Sequence, residues 1–263
     1  MFGRVESELR KRLSEEKAIH FLLLDPQKPG DATAIAKSAE RSGTAAFLVG
    51  GSTATLTSEY DFLVRHLKDN SHLPVIIFPS NLPSITGEAD AIFFMSLLNS
   101  LNPYFITGAQ ALGINAIRKK GLETIPLAYI IIGGGGAAGF VGQAQCVPLD
   151  HPEIAAAYAM AAEAFGFRFV YLEGGSGVAQ PLSTSFVSVV RKCVSLPLIV
   201  GGGVRTGSEA EDLAVAGADI IVTGSIVEET GDHNIVSELV AGIRRGGKRR
   251  SQGQANGTLK GEG

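Results

Sequence analysis

Two carboxylates stand directly after apolar runs, where strand propensity disfavours them. Asp25 follows Ile19–Leu24, and Glu173 follows Phe169–Leu172. Ser52 and Thr53 stand at the end of a second apolar run, Ala45–Val49, after Gly50 and Gly51. One Asp with one hydroxyl is a thin shell of hard oxygen donors. Such a shell suits Mg²⁺, which keeps waters and completes its octahedron with phosphate oxygens, so a diphosphate substrate fits. An Asp that merely caps a turn is the plainer reading. Glu173 opens the loop Gly174-Gly175-Ser176-Gly177, where a carboxylate can bind a substrate hydroxyl and take its proton. A salt bridge to a neighbouring strand is its plainer alternative, and Tyr171 and Tyr129 read equally as ligand contacts or core aromatics.

Two further clusters point to an anion. Gly201-Gly202-Gly203-Val204-Arg205-Thr206-Gly207 and Thr223-Gly224-Ser225 each follow an apolar run and precede a helix-forming stretch. Bare amides and helix N-termini make a phosphate cradle that needs no lysine. Each cluster alone is also consistent with tight packing; together, at matching strand ends, they favour phosphate. Arg205 reads as a surface charge. None of the five histidines follows a strand candidate, which argues against zinc at these positions and against histidine-based catalysis.

The elements that must position these residues alternate regularly. Strand candidates are Ile19–Leu24, Ala45–Val49, Val75–Phe78, Ala91–Phe94, Leu127–Ile132, Phe169–Leu172, Leu198–Val200 and Ile220–Val222. Each is apolar almost throughout, as in a parallel sheet buried on both faces. Helical patterns cover Asp31–Arg41, Thr57–Leu67, Tyr104–Lys119, Pro152–Phe165, Ser183–Val194, Ser208–Ala216 and Asn234–Arg244. Between the third and fourth strands, SNLPSITGEAD is too short and broken for an ordinary helix. Eight strand–helix units in one uninterrupted stretch predict a single α/β domain over residues 1–245, a (β/α)8 barrel of the TIM type with one degenerate crossover. An open doubly wound sheet is the alternative. The stretch 246–263, Gly-rich, polar and basic, reads as a disordered tail. Its Lys248, Arg249 and Arg250 suit peripheral contact with anionic lipid, although a solvated tail is the simpler expectation.

Composition narrows the classes. The 263 residues carry 23 Lys+Arg against 26 Asp+Glu, a net charge of −3, which argues against a nucleic-acid-binding body. Hydrophobic residues form 45% of the chain, enough for a large core. Two cysteines, Cys146 and Cys193, make no ligand motif and fit a reducing cytoplasm. The uncharged stretch from Ile125 to Leu149 includes IPLAYIIIGGGGAAGFVG, whose proline and glycines suit a buried strand running into a loop better than a membrane span.

Taken together, LLLDPQKPG, FLVGGSTAT, FPSN, NPYFITGAQ, PEIAAAYAMA, YLEGGSG and GGGVRTGSEAEDLAVAGADIIVTGSIVEE resemble the geranylgeranylglyceryl phosphate synthase family, over roughly residues 15–245. More narrowly they resemble its longer-chain group, found in many archaea and some bacteria. The resemblance implies a Mg²⁺-dependent prenyltransferase that joins the 3-hydroxyl of sn-glycerol 1-phosphate to geranylgeranyl diphosphate, making the first ether bond of archaeal-type lipids. Asp25 and Ser52 are then the metal ligands. Tyr171, Leu172, Glu173, Gly174, Gly175, Ser176, Gly177, Gly202, Gly203, Gly224 and Ser225 bind glycerol 1-phosphate, with Asp25 and Glu173 catalytic. The prenyl tail needs an apolar groove, for which Phe93, Phe94, Tyr104 and Phe105 are candidates, and the family suggests dimers or hexamers. Some shorter relatives have a lysine where this chain has Leu23, and the glycine-rich 133–143 stretch also departs from the pattern. Another prenyl length such as heptaprenyl diphosphate, or another phosphorylated acceptor, remains an alternative. A sugar-phosphate isomerase lacks its second acid/base group here, since the fifth run ends Ile131-Ile132-Gly133-Gly134. A non-catalytic phosphate scaffold leaves Asp25 and Glu173 unexplained.

Overall fold

A computed structural model of the chain describes residues 2–175, 177–230 and 234–258. The strands are β1 (Ile19–Leu24), β2 (Ala46–Val49), β3 (Val75–Ile77), β4 (Ala91–Leu97), β5 (Glu123–Ile131), β6 (Phe169–Glu173), β7 (Leu198–Gly201) and β8 (Ile220–Thr223). All pair in parallel with their sequence neighbours, and β8 closes on β1 with Ile19 opposite Ile220. That closing pair makes a (β/α)8 barrel and excludes the open sheet.

Both faces of these strands are buried, which explains why their sequences do not alternate with polar residues. Phe21, Leu48, Ile76, Phe93, Leu127, Phe169, Ile199 and Ile220 fill the barrel interior. Leu22, Phe47, Ile77, Ile130, Leu172 and Ile221 face the helices. The helix α1 (Arg4–Glu16) plugs the N-terminal end, with Val5 and Leu9 packed into the interior cluster. Its first amides are satisfied from β5: Val5 and Glu6 N–H donate to the Glu123 carboxylate at 2.8 and 2.9 Å. Buried Glu6 in turn pairs with Arg10 at 2.9 Å and Arg168 at 3.0 Å. With that end sealed, a ligand enters from the C-terminal ends of the strands.

The outer helices are α2 (Ala32–Ser42), α3 (Thr57–Asn70), α4 (Ala109–Lys119), α5 (Gly136–Val141), α6 (Pro152–Phe165), α7 (Thr184–Cys193), α8 (Gly207–Ala216), α9 (Ser225–Thr230) and α10 (Ile235–Thr258). Between β3 and β4 there is only a single 3₁₀ turn, Leu82–Ser84, as the broken sequence there predicts. The helix expected from Tyr104 begins as a π-helical turn, Tyr104–Gly108, before continuing as α4. The carbonyls that this wider turn frees find side-chain donors: Ser96 Oγ to Ile106 O at 2.7 Å and Gln110 Nε2 to Phe105 O at 3.3 Å.

Two expectations are corrected. The glycine-rich 133–143 stretch is not wholly loop, because residues 136–141 form α5. The domain does not end at 245 in a disordered tail, because α10 runs on to Thr258; residues 259–263 lie outside the described residues. Gly242, Gly246 and Gly247 of this helix are packing positions. A Cβ on Gly242 would lie 2.0 Å from Gly207 O, and one on Gly246 2.4 Å from Glu211 O, so α10 approaches α8 closely. Its arginines are also engaged: Arg245 and Arg249 pair with Glu211 at 2.8 and 2.7 Å, and Arg250 pairs with Asp219 at 2.8 Å. Among the described residues no helix is long and apolar enough to cross a membrane.

Candidate active site

Two adjoining cavities open at the C-terminal end of the barrel. The larger, about 410 Å³, has a polar mouth and an apolar extension. Its mouth is lined by Asp25, Lys28, Gly51, Ser52, Glu173 and Ser225, and its depth by Leu82, Ile85, Ile92, Phe94, Gly113 and Ile117. The extension lies where a full helix between β3 and β4 would otherwise pack, so the degenerate crossover makes room for it. The smaller cavity, about 50 Å³, is lined by Tyr171, Gly202, Gly203, Val204, Arg205 and Thr223. Leu23, Glu173, Gly177, Gly224 and Ser225 belong to both, so Asp25 and the glycine loops share one rim.

Asp25 follows β1 in a turn that fixes its carboxylate. Gln27 N–H donates to Asp25 Oδ1 at 2.9 Å, and Lys28 N–H donates to Asp25 O at 2.9 Å. The β2 loop presses against it: a Cβ on Gly51 would lie 2.4 Å from Asp25 Oδ1. Thr53 does not face the carboxylate; its hydroxyl donates to Gln27 Oε1 at 3.0 Å, tying the two loops together.

Glu173 ends β6 and is buried, with 7% of its surface exposed. Gly175 N–H donates to Oε1 at 2.7 Å, and the Tyr129 hydroxyl donates to Oε2 at 3.1 Å. Tyr171 also lies within hydrogen-bonding reach. Burial pushes the Glu173 pKa above its ordinary carboxylate value, and these three donors pull it partly back. Phe78, Tyr129 and Tyr171 form a ring cluster below, with centroids 5.2–5.4 Å apart.

The glycine-loop end depends on close backbone approach. Gly202 has φ +93°, and a Cβ there would lie 2.6 Å from Gly175 O. The β7 loop therefore packs directly on the β6 loop. Gly174 and Gly175 shape that packing but line neither cavity. Leu172 also lines neither: its side chain belongs to the helix-facing core, because alternate residues on a strand point to opposite faces. Of the proposed groove aromatics, Phe93, Phe94 and Phe105 line the larger cavity. Tyr104 does not; its hydroxyl donates to Asn81 Oδ1 at 2.6 Å. Ser176 lies outside the described residues.

Residue type alone does not single out Lys28 at the mouth. The spacing of Lys28, three residues past Asp25 in LLDPQKPG, was the available signal.

Among the described residues no cluster of three His, Cys, Asp or Glu could hold a metal. A site here draws on one carboxylate and hydroxyl, carbonyl or ligand oxygens. That all-oxygen set fits Mg²⁺ and does not fit zinc.

Comparison with known proteins identifies the family. A model of the PcrB family matches residues 11–242. Geranylgeranylglyceryl phosphate synthase of Pyrococcus abyssi is 47% identical over 246 residues, covering 93% of this chain and 98% of that protein. The synthase of the same name from Thermococcus gammatolerans is 48% identical over 248 residues, covering 92% and 98%. The crystal structure of (S)-3-O-geranylgeranylglyceryl phosphate synthase from Thermoplasma acidophilum, in complex with its substrate sn-glycerol-1-phosphate, superposes with a TM-score of 0.85 at 39% identity, covering 93% and 99%. The chain belongs to the PcrB family, together with these geranylgeranylglyceryl phosphate synthases.

Proposed function

We propose that this enzyme transfers the prenyl group of geranylgeranyl diphosphate to the 3-hydroxyl of sn-glycerol 1-phosphate, releasing diphosphate. The observation that carries the reading is the shape of the site. One rim holds a carboxylate for a cation, a buried carboxylate for a proton and a glycine nest for a phosphate, and an apolar channel leaves the same rim. An isomerase of sugar phosphates has no use for that channel.

Glycerol 1-phosphate would sit with its phosphate against Gly177, Gly202, Gly203, Gly224 and Ser225 and its hydroxyls toward Glu173. The prenyl tail would run past Phe94, Ile92 and Ile85 to Gly113 and Ile117. Asp25 and Ser52 would hold Mg²⁺, which when bound neutralises charge on the diphosphate. In the transfer, the bond from C1 of the prenyl group to the diphosphate oxygen breaks, and its electron pair leaves with the diphosphate. The acceptor oxygen forms the new bond to C1, and its proton passes to Glu173. Burial makes Glu173 a stronger base than an exposed carboxylate, while Tyr129 and Gly175 keep it aimed. The Phe78–Tyr129–Tyr171 ring cluster offers π-faces to positive charge developing at the allylic carbon. Holding both reactants in register supplies much of the acceleration.

The test is incubation with labelled sn-glycerol 1-phosphate, Mg²⁺ and prenyl diphosphates of several lengths. An ether-linked lipid phosphate is expected, with geranylgeranyl diphosphate preferred. Absence of product with every diphosphate would remove the reading.

A further inference from the structure

We infer that Lys28 is a catalytic residue that binds and stabilises the departing diphosphate; this rests on the proposed transfer from a prenyl diphosphate. The reason lies in the charges around the larger cavity. The leaving group is a polyanion, and the wall that receives it already carries the Asp25 carboxylate. One divalent cation held by Asp25 leaves that end of the site short of positive charge once the C1–O bond breaks. Among the lining residues of the larger cavity, Lys28 is the one with a permanent positive charge. Arg205 lines the smaller cavity, at the acceptor end.

The placement is built into the β1 loop. Gln27 N–H bonds to the Asp25 carboxylate and Lys28 N–H to the Asp25 carbonyl, so the backbone of Lys28 is fixed relative to the carboxylate. Thr53 holds Gln27 from the β2 loop and ties this turn to Gly51 and Ser52. Lys28 is exposed, and among the described residues no carboxylate pairs with it. Its charge is therefore available to a ligand, in contrast to Arg245, Arg249 and Arg250, which the fold consumes. A lysine suits this work because its compact ammonium on a flexible stem can follow an oxygen whose charge grows as the bond lengthens. The electron pair of the broken bond stays on the diphosphate, and the ammonium donates hydrogen bonds to the oxygens that gain charge.

The experiment compares wild type, Lys28→Met and Lys28→Arg by calorimetric titration with inorganic pyrophosphate and Mg²⁺, and separately with sn-glycerol 1-phosphate. Lys28→Met is expected to weaken pyrophosphate binding roughly 10-fold or more and to lower kcat by roughly 10²–10³. Glycerol 1-phosphate affinity and the thermal midpoint stay unchanged, and Lys28→Arg restores part of the pyrophosphate affinity. Unchanged pyrophosphate affinity in Lys28→Met overturns the assignment, as does an equal loss toward both ligands. A wild type that binds pyrophosphate through Lys28 yet transfers no prenyl group overturns the proposed function and leaves the anion site standing.

Discussion

The Tyr129 hydroxyl reaches Glu173 Oε2 at 3.1 Å from the adjacent strand, where Tyr129 is opposite Tyr171, two residues before Glu173. Side chains two apart on β6 share a face, so both tyrosines and the carboxylate point to the barrel axis. The sheet register, rather than a flexible loop, therefore sets the aim of the Glu173 carboxylate.

Glu173→Gln keeps the size, exchanges one of the two acceptor oxygens for an amide donor and removes the ionisable carboxylate on which the proposed proton transfer depends. Turnover should fall by roughly 10²–10⁴, with acceptor binding weakened more than diphosphate binding. Because burial raises the Glu173 pKa, the folded protein binds that proton more tightly than the unfolded chain. The associated stability is complete below the ordinary carboxylate pKa and is lost as pH rises through the raised value. At pH 7–8 the buried charge is thus a cost, and Glu173→Gln should melt higher than wild type there, with a smaller difference near pH 4. A lower melting temperature at pH 8 would contradict the electrostatic account.

Asp25→Ala should abolish turnover and leave the fold intact, since the carboxylate is half-buried at the rim and supports only its own turn. Circular dichroism and a Mg²⁺ titration of activity read the two halves separately. Near-normal activity at saturating Mg²⁺ would refute the metal role.

Gly202→Ala tests whether the glycine loops bind the acceptor phosphate. The residue has φ +93° and its new methyl would meet Gly175 O at 2.6 Å, so the β6 and β7 loops must part. The left-handed backbone alone costs about 1–2 kcal/mol. The acceptor KM should rise at least roughly tenfold, with about 1.4 kcal/mol per factor of ten, and the donor KM should change little. Equal changes in both KM values would mean that the loop serves the whole mouth.

The barrel was legible because its strands are apolar almost throughout and its helices carry ordinary caps, such as Asp31 bonding Ala34 N–H and Thr206 with Glu209. Asp25, Glu173 and the glycine loops were legible because each breaks the pattern at a strand end. What was missed depends on contacts far apart in sequence. Gly246 and Gly247 read as disorder, yet they are sites of close approach to Glu211 and Ala18. Leu172 lay within a recognisable motif, but strand alternation turns its side chain away from the ligand. The bond from Tyr104, on the π-helical turn, to Asn81, in the loop after β3, joins residues 23 apart, and no local spacing announces it.

His20 gives an acid-stability prediction. It is fully buried between two hydroxyls, with Nδ1 2.9 Å from Thr44 Oγ1 and Nε2 2.9 Å from Thr223 Oγ1. Burial lowers its pKa from 6.5 to about 3, so the unfolded chain binds this proton more readily. Stability is complete above about 6.5 and falls as pH drops toward about 3, by roughly 1.4 kcal/mol per unit at most. His20→Gln should be less stable at pH 7 and show a shallower decline between pH 6 and pH 4 in urea unfolding. An equally steep decline would assign acid sensitivity to other groups.

Gly113 tests whether the apolar extension carries the prenyl tail. It lies on α4 facing the cavity, where a Cβ would meet Ile85 Cδ1 at 3.0 Å and Leu82 Cδ2 at 3.3 Å. Gly113→Val fills the far part of the channel without touching Asp25, Glu173 or the glycine loops, and valine is a better helix former than glycine. The variant should keep its activity on a shorter prenyl diphosphate and lose it on geranylgeranyl diphosphate. The ratio of kcat/KM for the two donors should move by roughly tenfold or more, the range one or two methylenes command in an apolar pocket. The acceptor KM is a built-in control, because the glycine loops proposed to hold the acceptor phosphate are at the opposite end of the site. An unchanged donor ratio with a stable fold would place the tail somewhere other than between β4 and α4.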